Sequence, residues 1–401
     1  MEAYALDWLN LLVRWLHITA GVAWIGASLY FVMLDTSLRP PQNPEDATRR
    51  GVSGELWAVH GGGFYQSQKF LTGPRGQPLS AHLHWSKWEA YTTWLSGMAL
   101  LALVYWYGAQ SFLIDRAVME LSVPAAIAIS AGSLVAGWLV YDALCRLIRH
   151  ELTLSLLVYA LVVAAAWGYS QVFGGRAAYI HVGALIGTIM VWNVFFQIIP
   201  GQKKMVAEVL AGQPVDPRPG IVGKQRSVHN TYLTLPVLFI MISSHYPMTF
   251  GHRHAWAVLA VLIMAGALIR QYFVLRHSGR NAVVLPAVAI ALLAMLVVML
   301  APAPASDAGK VAAVRITYAD VQPILAARCA VCHAEKPTFP GFPQPPAGLR
   351  LETAEQTQAA AEKIRLQAIA TRVMPPGNLT QITDEERQRI GDWLAAGAPA
   401  Q

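Results

Sequence analysis

The chain has 401 residues, 55% of them hydrophobic and only 13% charged, with a formal net charge of +7. A soluble globular domain carries nearer a quarter charged residues, so this composition excludes an ordinary water-soluble enzyme and assigns most of the chain to a bilayer. The positive excess does not mark a nucleic-acid binder. Residues 305–401 hold ten Lys/Arg and ten Asp/Glu, so the whole surplus falls in the apolar part, where basic membrane loops account for it.

The opening MEAYALD lacks the positive n-region of a signal peptide, and the apolar run behind it is too long for an h-region. A bilayer span needs about 20 mostly apolar residues. Eight stretches are predicted to meet that need: 8–34, 88–108, 122–144, 152–170, 177–199, 229–247, 254–274 and 282–302. The odd-numbered loops between them carry fifteen Lys/Arg and the even-numbered loops three (Arg116, Arg176 and Arg253). By the positive-inside rule the odd loops are cytoplasmic, so both termini lie in the periplasm of a bacterial inner membrane. The expected fold is all-α: a polytopic bundle of about eight transmembrane helices over 1–302, an Ala/Pro-rich linker over 303–312, and a small periplasmic domain over 313–401.

That last domain carries the most specific signal, Cys329-Ala330-Val331-Cys332-His333. C-x-x-C-H is the attachment pattern for a c-type heme. The two thiols bond the porphyrin, and His333 supplies one axial nitrogen. Met374 is the expected sixth ligand, in a Met-Pro-Pro-Gly stretch whose prolines keep it out of helix. Residues 317–328 read as a helix delivering the cysteines. Thr383 and Glu386 form a capping box before an apolar stripe at Ile390, Trp393 and Leu394, and Gly397 stops that helix. A class I-like cytochrome c domain fits. Zinc would need more Cys or His than residues 305–401 hold. The third cysteine, Cys145, is isolated, so no disulfide framework exists.

Polar residues inside spans mark function by default. His17 and His181 fall at one depth, in the periplasmic half. They are candidate ligands for a heme b, or else bundle histidines bonded to their neighbours. A second group gathers at the cytoplasmic face: His60; His82, His84, Lys87 and Glu89; and Lys224, Arg226, His229, Asn230, Thr231 and Tyr232, with Gln66, Gln68 and Gln197 nearby. Of these His84, Lys87, Glu89, His229, Asn230 and Thr231 are the catalytic candidates, rich in donors, acceptors and acid–base groups. The plain alternative is the polar crowd of any membrane interface, with Trp85, Trp88 and Tyr232 as its aromatic belt. His245, His252, His254 and His277 read as solvated, at helix ends or in short loops.

Three stretches carry a resemblance: Trp15-Leu16-His17-Ile18-Thr19-Ala20-Gly21, His84-Trp85-Ser86-Lys87-Trp88-Glu89-Ala90-Tyr91, and His229-Asn230-Thr231-Tyr232-Leu233-Thr234. With the cytochrome-like tail, the chain resembles, end to end, the bacterial integral-membrane urate oxidases that carry a C-terminal cytochrome c. The first stretch is also similar to heme-binding membrane proteins of the protoporphyrinogen oxidase and copper-resistance type, where the equivalent histidine is a candidate heme ligand. The resemblance implies oxidation of urate with water to 5-hydroxyisourate. Electrons would leave through heme c to a soluble cytochrome or terminal oxidase, with no hydrogen peroxide made. Two rivals come from other classes: an electron-transfer subunit that relays from another dehydrogenase, and a heme-based sensor or assembly protein.

Overall fold

The computed structural model describes residues 2–301 and 316–399; the linker expected at 303–312 lies outside the described residues. In chain order the first part comprises α1 (Glu2–Ser37), α2 (Pro44–Arg50), strands β1 (Val52–His60) and β2 (Gly63–Phe70), and α3 (Trp88–Leu100). Then follow α4 (Ala109–Phe112), α5 (Val123–Leu147), α6 (Glu151–Ser170), α7 (Gly175–Trp192) and α8 (Ile199–Leu210). The helices α9 (Arg218–Ser243), α10 (Pro247–Phe250), α11 (Ala255–His277) and α12 (Val284–Met299) complete it. Short π-helical turns carry α3 on through Leu101–Trp106 and join α7 to α8 through Asn193–Ile198.

A helix occupies most of each of the eight stretches expected from hydropathy. By length and composition, five of the described helices can cross a membrane: Tyr4–Ser37, Val123–Leu147, Glu151–Ser170, Gly175–Leu210 and Ala255–His277. Trp8, Leu11, Trp15 and Val22 of α1 point outward, an apolar face of the kind lipid covers.

Two expectations are corrected. The chain is mostly helical, as expected, but not purely so, because β1 and β2 form an antiparallel hairpin. Gly61 and Gly62 both take positive φ at its two-residue turn, the conformation that matches strand twist and that glycine adopts without steric cost. Next, α9 starts at Arg218, well before the expected 229. Arg226 is therefore a helix residue and buried, not a loop cation.

The core centres on α7. Glycines bring its neighbours close: a Cβ on Gly183 would meet Ile240 of α9 at 2.6 Å, and Gly137 of α5 lies against Leu185. Small residues at such crossings let helix backbones approach where lipid supplies no hydrophobic drive between them. These crossings set Tyr141, Asn193 and His229 side by side.

The C-terminal unit has its own core of Val321, Leu325, Leu351, Ile364, Ile390 and Trp393. Its helices are α13 (Tyr318–Leu325), α14 (Ala354–Ala359), α15 (Ala361–Ile364) and α16 (Asp384–Ala395). Thr383 and Glu386 cap α16 reciprocally, and Ile390 and Trp393 are fully buried. The Trp393 ring lies 6.1 Å from that of Tyr318, which packs α16 on α13.

Candidate functional site: a buried donor relay ending at a cavity

Asp142 of α5 and Arg226 of α9 form an ion pair at 2.7 Å, with side chains only 9% and 2% exposed. Charges taken out of water at this depth need partners, and these have them. Arg146 Nε donates to the second Asp142 oxygen at 2.7 Å, and Gln197 Nε2 donates to the first at 3.3 Å. The Arg226 guanidinium also lies 5.1 Å from the Tyr141 ring.

A hydrogen-bonded chain runs from that pair. Arg226 Nη1 donates to Asn193 Oδ1 at 3.4 Å. Asn193 Nδ2 donates to the Tyr141 hydroxyl at 2.9 Å and to Asn230 Oδ1 at 3.0 Å. Asn230 Nδ2 donates to the Met190 carbonyl at 2.9 Å. The Tyr141 hydroxyl meets His229 Nδ1 at 2.8 Å. Asn193 opens the π turn, and such turns recur at functional sites because they shift side chains off the regular helical face.

Donor counting sets the direction. Arg226 has only donors, which fixes the Asn193 amide. That amide donates to the Tyr141 oxygen, so the phenolic proton is free to go to Nδ1. The inferred neutral tautomer of His229 then carries its proton on Nε2. That nitrogen is buried without a hydrogen-bond partner. His229 lines a cavity of about 1370 Å³ between α6, α9 and α11, together with Cys145, Tyr159, Tyr232 and Gln271. A buried, unsatisfied polar atom at a cavity wall marks where a ligand would be held. Glu151 is the carboxylate among the lining residues, and it accepts from Gln225 at 3.0 Å.

The other expected residues are dispersed. Asn230 and Thr231 are buried beside His229, and Thr231 Oγ1 donates to the Ser227 carbonyl at 3.1 Å. His84 is exposed in an irregular segment. Lys87 precedes α3, with its ammonium 5.4 Å from the Trp88 ring, and the Glu89 carbonyl accepts from Thr93 at 2.7 Å. Among the described residues no hydrogen bond or ion pair joins these three to His229.

His17 Nδ1 lies 2.9 Å from the Thr93 carbonyl and 3.1 Å from Ser96 Oγ, its ring packed on Gly97. His181 is engaged at both nitrogens: Nδ1 with the Ala177 carbonyl at 2.8 Å and Nε2 with Ser130 Oγ at 2.7 Å. Phe173, Tyr169 and Tyr105 surround its ring. With no free nitrogen on His181, this arrangement does not fit a heme clamped between the two histidines, and no step is derived through one.

In the C-terminal unit, a π turn at Ala326–Ala330 follows α13, carries Cys329 and leads to Cys332. Burial pushes the Cys329 thiol up to about 11. The His333 amide donates to the Cys329 carbonyl at 2.9 Å, so one helical turn presents Cys329, Cys332 and His333 together. His333 Nδ1 meets the Leu349 carbonyl at 3.1 Å, which orients the ring and leaves Nε2 for a metal. Met374 packs in the same apolar cluster as Cys329, and Arg387 Nη1 donates to its carbonyl at 2.9 Å. Arg328 grips the Glu386 carboxylate through Nε and Nη2, both at 3.0 Å, tying the cysteine turn to α16. Among the described residues no group of three His, Cys, Asp or Glu side chains is placed to hold a metal ion. The thiol pair, the oriented histidine and the thioether fit a covalently bound heme better than zinc.

A family model described as urate oxidase N-terminal matches residues 3–301. The chain belongs to that family. No curated protein and no solved structure matches it. The span matched by the urate oxidase N-terminal model contains the whole Asp142–Arg226–Asn193–Tyr141–His229 chain and its cavity, and ends before the C-terminal unit.

The Met374 loop sits against this urate oxidase N-terminal part. A Cβ on Gly251, just beyond α10, would lie 2.6 Å from Thr371 Cβ, and one on Gly377 would lie 2.6 Å from the Ile114 carbonyl. Val373 packs on the core of the helical bundle. Ile114 precedes α5, whereas Tyr141 stands near its far end. Along α5, Ser122 and Tyr141 are about 28 Å apart at 1.5 Å per residue. The sequence did not single out Tyr141, Asp142 or Asn193, although Asp142 stands inside an expected span, where an ionisable residue marks function.

Proposed function

We propose that this chain is a membrane-bound urate oxidase that passes electrons from urate to a heme c held by its own C-terminal unit. One observation carries the proposal: within the residues matched by the urate oxidase family model, a buried donor relay ends in an unpartnered His229 Nε2 at a cavity wall. The reaction would be urate plus water giving 5-hydroxyisourate, two protons and two electrons. Oxygen is not the acceptor, so no peroxide forms, and a soluble cytochrome or terminal oxidase drains the electrons.

His229 would donate from Nε2 to a urate carbonyl oxygen and stabilise negative charge there as electrons leave. Tyr141 holds the ring in that tautomer, and the Asp142–Arg226 pair fixes Asn193 behind it. Preorganised donors of this kind need no rearrangement during reaction. Glu151, which also lines the cavity, would take up a released proton.

Cys329 and Cys332 would bond the heme, with His333 and Met374 as axial ligands. When bound, the group supplies one-electron redox chemistry. His333 is kept in register by Leu349 and Met374 by Arg387. The cytochrome unit would lie in the periplasm of the inner membrane, as the basic loops imply.

The test is anaerobic. Purified, heme-loaded, oxidised chain is mixed with urate while the visible spectrum and urate loss are followed. A ferrous c-type band with urate consumed, and no peroxide on aeration, is expected. An added b-type band would show a second heme in the bundle. A silent spectrum from intact protein would overturn the proposal in favour of a relay subunit fed by another dehydrogenase.

A further inference from the structure

The cavity that His229 lines is also lined by three cations, Arg149, Arg218 and Lys224, against one carboxylate, Glu151. The four gather at one end. Arg149 follows the last turn of α5, Glu151 opens α6, and Arg218 and Lys224 stand in the first two turns of α9. All three cations are exposed, whereas His229 is buried. The cavity therefore runs from a basic, solvent-facing mouth to a polar inner wall. The end of α5 joins the two: Cys145 Sγ lies 3.8 Å from His229 Nδ1, and Ile148 and Arg149 continue the lining outward. The C-terminal unit docks at the other end of α5, against Ile114.

Two of the cations are committed. Arg218 pairs with Asp216 and Lys224 with Asp35, each at 3.0 Å. Glu151 accepts from Gln225. Arg149 has no hydrogen bond or ion pair among the described residues. Its guanidinium stays charged at any physiological pH, so the mouth keeps a positive charge that no neighbour cancels.

We propose that Arg149 is the entry residue of this cavity, drawing a small organic anion to the mouth in preference to a neutral molecule of the same shape. This rests on the urate reading above, and the anion is then the urate monoanion. A charge at a concave mouth acts over roughly a Debye length, about 8 Å at physiological salt, and raises the local anion concentration before any contact forms. Arg149 thus acts on the encounter and not on the oxidation that follows. Its alternative role is structural: a cation just past a helix C-terminus offsets the helix dipole.

The test uses the full, heme-loaded chain in nanodiscs of phosphatidylcholine, without oxygen or any added electron acceptor. Heme reduction is followed over a range of urate concentrations. The initial slope gives the second-order constant and the plateau gives the limiting rate. Arg149→Glu should lower the slope about tenfold or more at low salt and keep the plateau. The gap should close at about 1 M salt, where screening shortens the reach to about 3 Å. Arg149→Gln should fall between, and Arg149→Lys should match wild type, since steering needs the charge and not the fork. Arg280→Glu makes the same charge change on an exposed residue outside the cavity lining, and should leave the slope near wild type.

An unchanged slope in Arg149→Glu, with wild type reduced normally, would overturn this inference alone. So would an equal loss in Arg280→Glu, which would make the effect one of bulk charge. A loss that salt does not relieve, together with a lowered thermal midpoint, would make Arg149 structural and overturn it too. Wild type whose heme urate does not reduce would sink the urate reading, and this inference with it.

Discussion

His181 and His229 are both buried in one helical bundle, yet they are opposites. His181 spends both ring nitrogens, on the Ala177 carbonyl and Ser130, inside a cage of aromatic rings. His229 spends one on Tyr141 and leaves Nε2 bare beside a cavity. Burial does not separate a structural histidine from a working one; the hydrogen-bond balance does. A satisfied ring is held in place, whereas an unsatisfied one is held out to a ligand.

The comparison can be broken hardest at the charge pair behind His229. Asp142→Asn strands Arg226 without its buried counter-charge and should cost roughly 3–5 kcal/mol. Thermal midpoints in detergent check this, and an apolar double replacement at both positions should recover most of the loss while still abolishing urate turnover. A wild-type midpoint in Asp142→Asn would show that the pair does not anchor the relay.

A smaller effect sharpens the other half. His181→Ala should lower stability by about 1–3 kcal/mol, the scale of buried groups left unpaired. Urate oxidation per folded molecule should hold. Lost oxidation with unchanged stability would reverse the roles of the two histidines.

The smallest effect lies at the start of α9, whose Arg218 is among the residues lining the cavity. Asp216 hydrogen-bonds to Arg218, which draws its carboxyl down to about 2. A carboxyl lowered on folding contributes stability above its ordinary value, and that contribution fades as pH falls through about 2. Arg218→Ala should flatten this acid limb of the midpoint-against-pH curve slightly. A steep loss of stability at neutral pH in that variant would contradict a solvated role.

How much of this is legible in sequence depends on how local each feature is. The donor set of the C-terminal unit is contiguous at Cys329, Cys332 and His333, so the motif can be read directly. The α16 cap and stripe are local too, and form as expected. His229, Asn230 and Thr231 are visible as polar residues entering a span. Their partners are not, because Tyr141 and Asn193 lie about 50 residues apart on other helices and meet only through close crossings at glycines. Arg226 is misread as a loop cation because the first turns of α9 are polar, and hydropathy starts the helix only where apolar residues resume. The hairpin is overlooked because its alternation is short and sits among loop residues. Both turn glycines nonetheless announce it.

The most direct measurement is anaerobic stopped-flow reduction of the heme-loaded chain by urate, comparing wild type with His229→Asn. Rapid reduction is expected in wild type. In the variant, loss of the Nε2 donor should slow reduction by about a hundredfold or more, while dithionite still reduces its heme fully. Reduction of His229→Asn by urate at the wild-type rate would contradict the claim that this cavity is where urate is oxidised.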